Sequence, residues 1–302
     1  MIRGKAMHTV DMRPASGTGW FDEYNSVITD DEFQQFSQLI YATAGIKLTP
    51  IKKTMLAARL RKRLRATNRT SFSAYLDHLL SPEGRRAELV PMLDAVSTNK
   101  TNFFREPGHY DQLVNQVLPE LLRRRGGDCS APLRIWSAGC ATGEEPYTLA
   151  MVMADFCATR PGLDFSILAT DLSTGALATA RLATYEDFKV DEIPVSFRHK
   201  YMMRGIGEKR GWHRVVPRLR SKVTFRRLNF MDEEFGLDRS VDILFCRNVI
   251  IYFDRDTQVG LFRKFYRQLA PGGYLFIGHS ETLQGIVGQM RRVGTALYQK
   301  KV

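Results

Sequence analysis

The stretch Leu133-Arg134-Ile135-Trp136-Ser137-Ala138-Gly139-Cys140-Ala141-Thr142-Gly143-Glu144-Glu145 decides how the rest of the chain reads. Leu133 to Ser137 is an apolar run of strand length, and a helical pattern opens at Glu145. Gly139 and Gly143 lie between them, where glycines let the backbone turn tightly and approach a ligand closely. The spacing is GxxxG rather than GxGxxG, and the GK[ST] ending of a triphosphate loop is missing. Two carboxylates at the start of the helix repel a pyrophosphate and suit a cationic or hydroxyl-rich ligand. Plain turn chemistry accounts for the glycines equally well, so the turn alone assigns nothing.

Outward from this turn, short apolar or β-branched runs recur at Phe165 to Thr170, Val223 to Phe225, Val241 to Cys246 and Tyr274 to Ile277. Helical patterns alternate with them at Glu145 to Cys157, Thr174 to Leu182 and Asp256 to Leu269. Such alternation predicts a parallel, doubly wound α/β sheet, and Ala296-Leu297-Tyr298 reads as a strand closing its edge. About forty residues separate Leu182 from Val223, too many for a simple connection. Gly205, Gly207, Gly211 and the run Trp212 to Val216 predict a small β-rich insertion over about 187–222.

Polar residues gather where strands end. Asp171 follows the second strand, at the position from which an acidic residue binds ribose hydroxyls, although it also reads as a helix N-cap before Leu172-Ser173-Thr174. Leu228-Asn229-Phe230-Met231-Asp232 follows the third strand, and Arg247-Asn248-Val249-Ile250-Ile251-Tyr252-Phe253 follows the fourth.

The segment 26–96 predicts a helical domain. Thr29-Asp30-Asp31-Glu32 is a capping box, Thr49-Pro50 opens a second helix, Ser71 caps a third, and a fourth runs from Ser81-Pro82 toward Val96. A loop, Ser97 to Glu106, and a helix from about Pro107 to Arg125 bridge 97–132 to the α/β domain over 133–302. Residues 1–25 are polar and aperiodic and read as a loose leader without a secretory pattern.

Composition narrows the class. The 302 residues are 44% hydrophobic and 25% charged, ordinary for a globular protein, and no apolar run approaches the ~18 residues that span a bilayer. Cys129, Cys140, Cys157 and Cys246 have neither CxxC nor zinc-ligand spacing and read as reduced thiols in a cytoplasmic protein. The net charge of +12 favours an acidic partner: nucleic acid, an anionic membrane or a carboxylate-rich protein.

Five ordered blocks then resemble one family: Ser97 to Glu106, Gly139 to Tyr147, Ala169 to Ser173, Phe245 to Phe253 and Gly278-His279-Ser280-Glu281 are similar to those of CheR-type chemotaxis receptor glutamate O-methyltransferases. The resemblance runs from about Thr29 to the C-terminus. It implies a Rossmann-like sheet binding S-adenosylmethionine (SAM), a helical N-terminal domain and a small antiparallel β-subdomain. It further implies that Asn99, Thr101 and Arg105 reach the cofactor from the linker. Glu144, preferred over Glu145 as the first residue after the glycine, lies by its methionine end, near Gly139. Asp171 binds the ribose, Asn229 and Phe230 flank the adenine, and Arg247 and Asn248 line the pocket. Arg105 and Tyr252 stand at the reaction centre.

The implied reaction turns glutamate side chains of chemoreceptor cytoplasmic domains into methyl esters, leaving S-adenosylhomocysteine (SAH). A glutamate is already ionised at neutral pH, so no general base is required, and no catalytic triad or metal motif is recognisable. His279 therefore reads as a hydrogen-bonded residue rather than a base.

Between Phe33 and Leu76 there are nine Lys or Arg and no acidic residue. Lys53, Arg59, Arg61, Lys62 and Arg63 predict a face that docks on Glu-rich receptor helices, unless the run is simply a solvated surface. Charge reversal at Arg59 or Arg63 is then expected to weaken receptor methylation. Some family members also bind a receptor C-terminal tail peptide at the β-subdomain by strand addition. Two rival readings are a nucleic-acid methyltransferase and a non-enzymatic SAM-binding regulator. No RNA-binding motif supports the first, and the presence of both Arg105 and Tyr252 argues against the second.

Overall fold

In the computed structural model, which describes residues 27–283 and 290–301, Thr29 opens the first helix as its sequence predicts. The Thr29 hydroxyl accepts from the Glu32 amide while the Glu32 carboxylate accepts from the Thr29 amide. The leader read over residues 1–25 lies outside the described residues. Helix α1 (Asp30–Ala44) precedes α2 (Lys53–Ala66), α3 (Phe72–Leu80), α4 (Pro82–Ala87) and α5 (Leu89–Val96). Their apolar stripes meet in one core containing Phe36, Leu60, Tyr75, Leu79 and Leu93.

The fourth helix does not run unbroken to Val96. It stops at Ala87, and α5 restarts at Leu89, because Pro91 has no N–H to bond the Ala87 carbonyl; at the break Glu88 turns its carboxylate inward to Arg63 (2.7 Å to each oxygen) and to the Tyr75 hydroxyl (2.7 Å). A buried carboxylate is tolerated only with such partners.

The helix expected from about Pro107 to Arg125 is present but composite. A π segment, Leu113–Val117, separates α6 (Gly108–Gln112) from α7 (Leu118–Arg124). Pro119, in the first turn of α7, has no N–H to continue the regular bonding.

The α/β domain follows as β1 (Leu133–Ala138), α8 (Glu144–Ala158), β2 (Phe165–Asp171) and α9 (Thr174–Leu182). The insertion comes next, with β3 (Thr184–Glu186), α10 (Asp187–Val190), α11 (Val195–Tyr201), β4 (Met202–Arg204), β5 (Trp212–Val215) and α12 (Pro217–Arg220). Its strands form an antiparallel sheet in the order β3-β5-β4. The insertion is less β-rich than expected, since 195–201 is helical and buries Tyr201.

The chain returns to the main sheet with β6 (Val223–Arg227), β7 (Val241–Cys246), α13 (Arg255–Gln268), β8 (Leu269–Ile277), β9 (Met290–Gly294) and β10 (Leu297–Lys300). Main-sheet order is β6-β2-β1-β7-β8-β10-β9. The first five are parallel, whereas β10 runs antiparallel to both β8 and β9. The strand at Leu297 therefore does not close the sheet; β9 does, and its Arg291-Arg292 pair disguised it as loop. Apolar cores lie on both sheet faces, one built on Ile135, Ile167 and Phe245, the other on Trp136, Leu244 and Leu275. Among the described residues no helix is long and apolar enough to cross a membrane.

Candidate active site

At the end of β1 the chain enters Gly139 with φ +85°, and a Cβ there would sit 2.5 Å from a Val249 methyl carbon. At Gly143, φ is +98°, and a Cβ would collide with Ala180 and the Tyr185 hydroxyl. Both glycines are thus required by the fold at this turn, where backbone meets neighbouring loop without a side chain between. The loops after β1, β2, β6 and β7 surround a cavity of about 400 Å³, and the helical domain and linker close it from above.

Asn99, Thr101, Arg105, Gly139, Asp171, Asn229, Phe230, Arg247, Asn248 and Tyr252 all line this cavity. Ile46, Leu48 and Met55 of the helical domain add apolar wall that the sequence reading did not anticipate. The two domains are tied together around the opening. The Asn229 amide donates to the Thr43 carbonyl (2.6 Å), the Lys47 amide to the Tyr252 carbonyl (2.9 Å), and the Tyr41 hydroxyl to Asp254 (2.7 Å).

Of the two neighbouring carboxylates, the preferred Glu144 does not line the cavity. Glu144 is fully buried away from the cavity, where it accepts from Thr142 (2.6 Å) and pairs with Lys189 of the insertion (2.5 Å). Glu145 lines the cavity instead. Successive residues at a helix start point about 100° apart, so only one of two neighbouring carboxylates can face a given ligand. Glu145 accepts from the Ser137 hydroxyl (2.7 Å) and from Arg247 (3.2 Å). Burial pushes its carboxyl above the ordinary range, opposed by the Arg247 charge and the Ser137 bond.

Asp171 is not the helix cap; Ser173 is, accepting from the Ala176 amide. The Asp171 oxygens accept from the Ala141 (2.8 Å) and Ser173 (2.9 Å) amides, which leaves lone pairs for a ligand hydroxyl. Burial raises its pKa against those two bonds. Phe230 meets Phe235, Phe253 and Phe265 edge to face, a wall suited to a planar ring.

Arg247 lines the cavity, yet its side chain is only 1% exposed and all five N–H groups bond within the protein. Nε and Nη2 donate to Glu106 (3.3 and 3.0 Å), Nη2 also to the Arg105 carbonyl, and Nη1 to Tyr110 and Glu145 (3.1 and 3.2 Å). Burial opposes its charge, but Tyr110, Glu145 and Glu106 outweigh it and hold the guanidinium above its ordinary value. Burial likewise works against the Glu106 carboxylate, and Arg247 more than compensates, so its pKa lies below the ordinary one. Phe104 and Glu106 adopt left-handed backbone (φ 50° and 54°), as do Ala141 (φ 47°) and Asn248 (φ 57°), a concentration of unfavourable conformations around one cavity.

Glu106, His109 and His279 form a cluster whose possible ligand atoms lie within 4.8 Å of one another. Arg247 already neutralises Glu106 there, which places a competing positive charge against any metal ion. His279 is exposed and its amide donates to Glu106 (3.4 Å). Neither Glu106 nor Glu281 was singled out from sequence. Glu281 accepts from the Gly278, Asn248 and Ile250 amides (2.6, 3.0 and 3.0 Å) and so fixes the segment leading to Tyr252. Only the alternation of Arg105 with Glu106 hinted at such pairing.

The basic helix also needs correction. Arg63 is committed to Glu88, and Arg59 donates to the carbonyls of Val96 and Ser97 (3.1 Å to the latter) and to the Thr98 hydroxyl (3.1 Å). Both hold the helical domain and linker in place, so charge reversal there tests folding rather than docking. Lys53 pairs with Asp30, Arg61 is half-buried, and Lys62 and Arg65 are exposed.

Residues 99–298 match the family model described as the CheR methyltransferase SAM binding domain, and 31–97 match the CheR methyltransferase all-alpha domain. The chemotaxis protein methyltransferase of Borreliella burgdorferi is 38% identical over 262 residues, covering 86% of this chain and 91% of that protein. That of Escherichia coli K12 is 37% identical over 271 residues, covering 90% and 91%. Chemotaxis protein methyltransferase 2 of Pseudomonas aeruginosa is 36% identical over 270 residues, covering 89% and 93%. With both domain models in chain order and identities of this size along most of its length, the chain belongs to the CheR family of SAM-dependent chemotaxis protein methyltransferases.

Proposed function

We propose that this enzyme methylates glutamate carboxylates on the cytoplasmic domains of chemoreceptors, yielding methyl esters and SAH, and that it works in the cytoplasm during sensory adaptation. The observation that carries this reading is one cavity lined by two carboxylates, Glu145 and Asp171, together with Arg105 and Tyr252. The carboxylates suit the cofactor's ammonium group and ribose diol, and the apolar wall around Leu228, Phe230 and Phe253 suits its adenine. SAM supplies an electrophilic methyl group on a sulfonium.

Arg105 stays protonated and serves to orient the incoming carboxylate through paired hydrogen bonds, not to accept a proton. Tyr252 offers a hydroxyl and an aromatic face beside the reacting atoms. Held by Glu145, Asp171 and the wall around Phe230, SAM would supply its methyl group to the carboxylate oriented by Arg105 and Tyr252. No proton moves, so the protein contributes alignment and exclusion of water. The roof formed by the helical domain serves both.

Docking is assigned to the exposed charges of α2, namely Lys62 and Arg65, with Lys53 and Arg61 beside them. A second contact is assigned to the insertion, where edge strand β4 leaves one side for addition of a receptor tail strand.

The test is transfer of radiolabelled methyl from SAM to receptor cytoplasmic fragments, with RNA and DNA as parallel acceptors. Base-labile label on the receptor, lost when its glutamates become alanines, is the expected result. Label on nucleic acid, or none with tight SAM binding, would overturn the assignment.

A further inference from the structure

We propose that Arg247 is a positioning residue that keeps Glu145 ionised and aimed into the cavity, giving the ammonium end of the ligand a net negative wall. The inference rests on the assignment of Glu145 to that ammonium group. Its basis is the charge balance of a nearly solvent-free triad. One guanidinium, 1% exposed, lies between Glu106 (3.0 Å) and Glu145 (3.2 Å), whose side chains are 17% and 13% exposed. One positive and two negative charges sum to a single negative charge, which a ligand ammonium neutralises.

Because every N–H of Arg247 is engaged by the protein, it acts on the ligand through the groups it holds, and of these Glu145 is the carboxylate that lines the cavity. Both Glu145 oxygens are held by the protein. Oε1 is held by Ser137 and Oε2 by Nη1, so the carboxylate cannot rotate away from the cavity. Other groups bear on the charge of Glu145. Arg105 and Glu106 act from the linker, Tyr110 from α6, and the thiols of Cys140 and Cys246 from the ends of β1 and β7. His109 and His279 face Glu106 rather than Glu145. Arg247, the Ser137 hydrogen bond and Arg105 oppose protonation of Glu145, and Arg247 is the charged group among them in hydrogen-bond contact.

Without Arg247 two carboxylates would share a water-poor site, and one would take up a proton near neutral pH, as closely spaced carboxylates do. Ligand affinity should then fall as the pH falls, by up to about tenfold per pH unit once Glu145 is mostly protonated.

The experiment measures SAH affinity by calorimetry between pH 6.5 and 8.5, alongside an SAH analogue lacking the α-amino group. Wild type should favour SAH and show an almost flat profile. Arg247→Met should lose SAH affinity progressively toward low pH, and Arg247→Met with Glu106→Gln should regain part of it, because the repelling carboxylate is gone. Glu106→Gln alone, nearly isosteric, should lower affinity for SAH but not for the analogue. That variant decides the matter if Arg247→Met does not fold.

A loss of the same factor at every pH in Arg247→Met, or equal losses for both ligands in Glu106→Gln, would overturn the role given to Arg247. Equal wild-type affinity for the two ligands would instead overturn the Glu145 assignment beneath it.

Discussion

His109 is fully buried, edge-on to Phe276, with its ring centroid 4.4 Å from that of His279. Burial above all, then the charges of Arg247 and His279, pushes its pKa down to about 4, against a partial pull upward from Glu106. The folded-state value is therefore depressed below the unfolded ~6.5. Between those pH values the unfolded chain binds a proton that the folded chain refuses. Stability is accordingly full above pH 6.5 and falls as the pH drops through that window, by roughly 3 kcal/mol for this residue. Urea unfolding at pH 7 and pH 4.5 should show the loss in wild type and a smaller one in His109→Phe. An identical loss in both would place the acid sensitivity elsewhere. The sequence could not disclose this residue, because its character comes from neighbours 138 to 170 positions away. The place of Asp171 beside the cavity, by contrast, was legible because it ends a parallel strand.

Among elements, α2 shows how a charge run divides its labour. Its apolar positions Leu56, Leu60 and Leu64 are buried, while Arg59 and Arg63 use their length to reach the linker and Glu88. Only the outward charges remain for a partner. Lys62→Glu combined with Arg65→Glu should therefore slow receptor methylation about tenfold at low salt, with a smaller deficit at high salt. SAH affinity and melting temperature should stay at wild-type values, and unchanged methylation kinetics at low salt would remove the docking role from this face. Helices with a cap and an apolar stripe were legible from sequence, as α1 illustrates. The break at Glu88 had a local signal in Pro91, whereas what was hidden was decided at a distance, as in the choice of Glu145 over Glu144, which follows from Lys189 and Ser137. The GxxxG turn borders the cavity, as Gly139 shows, but its glycines alone assigned nothing and did not say which carboxylate faces it.

At the scale of the whole molecule, the cavity is an interface. Asp94 of α5 accepts from the Thr174 amide (2.8 Å), the Thr174 hydroxyl and the Gly175 amide (3.1 Å), so the helical domain caps a helix of the α/β domain. With the Thr43, Lys47 and Tyr41 bonds, this joins the ligand's walls to both domains. Saturating SAH should consequently stabilise the two domains together, by about 2.7 kcal/mol at a hundredfold excess over Kd. Differential scanning calorimetry should give one transition that moves as a unit. A helical-domain transition that ignores the ligand would show that the roof closes without being energetically coupled. The outermost strand of the sheet has a separate consequence. Among the described residues no further strand pairs with β9, and Arg291 and Arg292 stand exposed along it. A second molecule approaching edge to edge would meet like charges before it met a hydrogen bond, so this border protects the protein from amyloid-like stacking as its concentration rises.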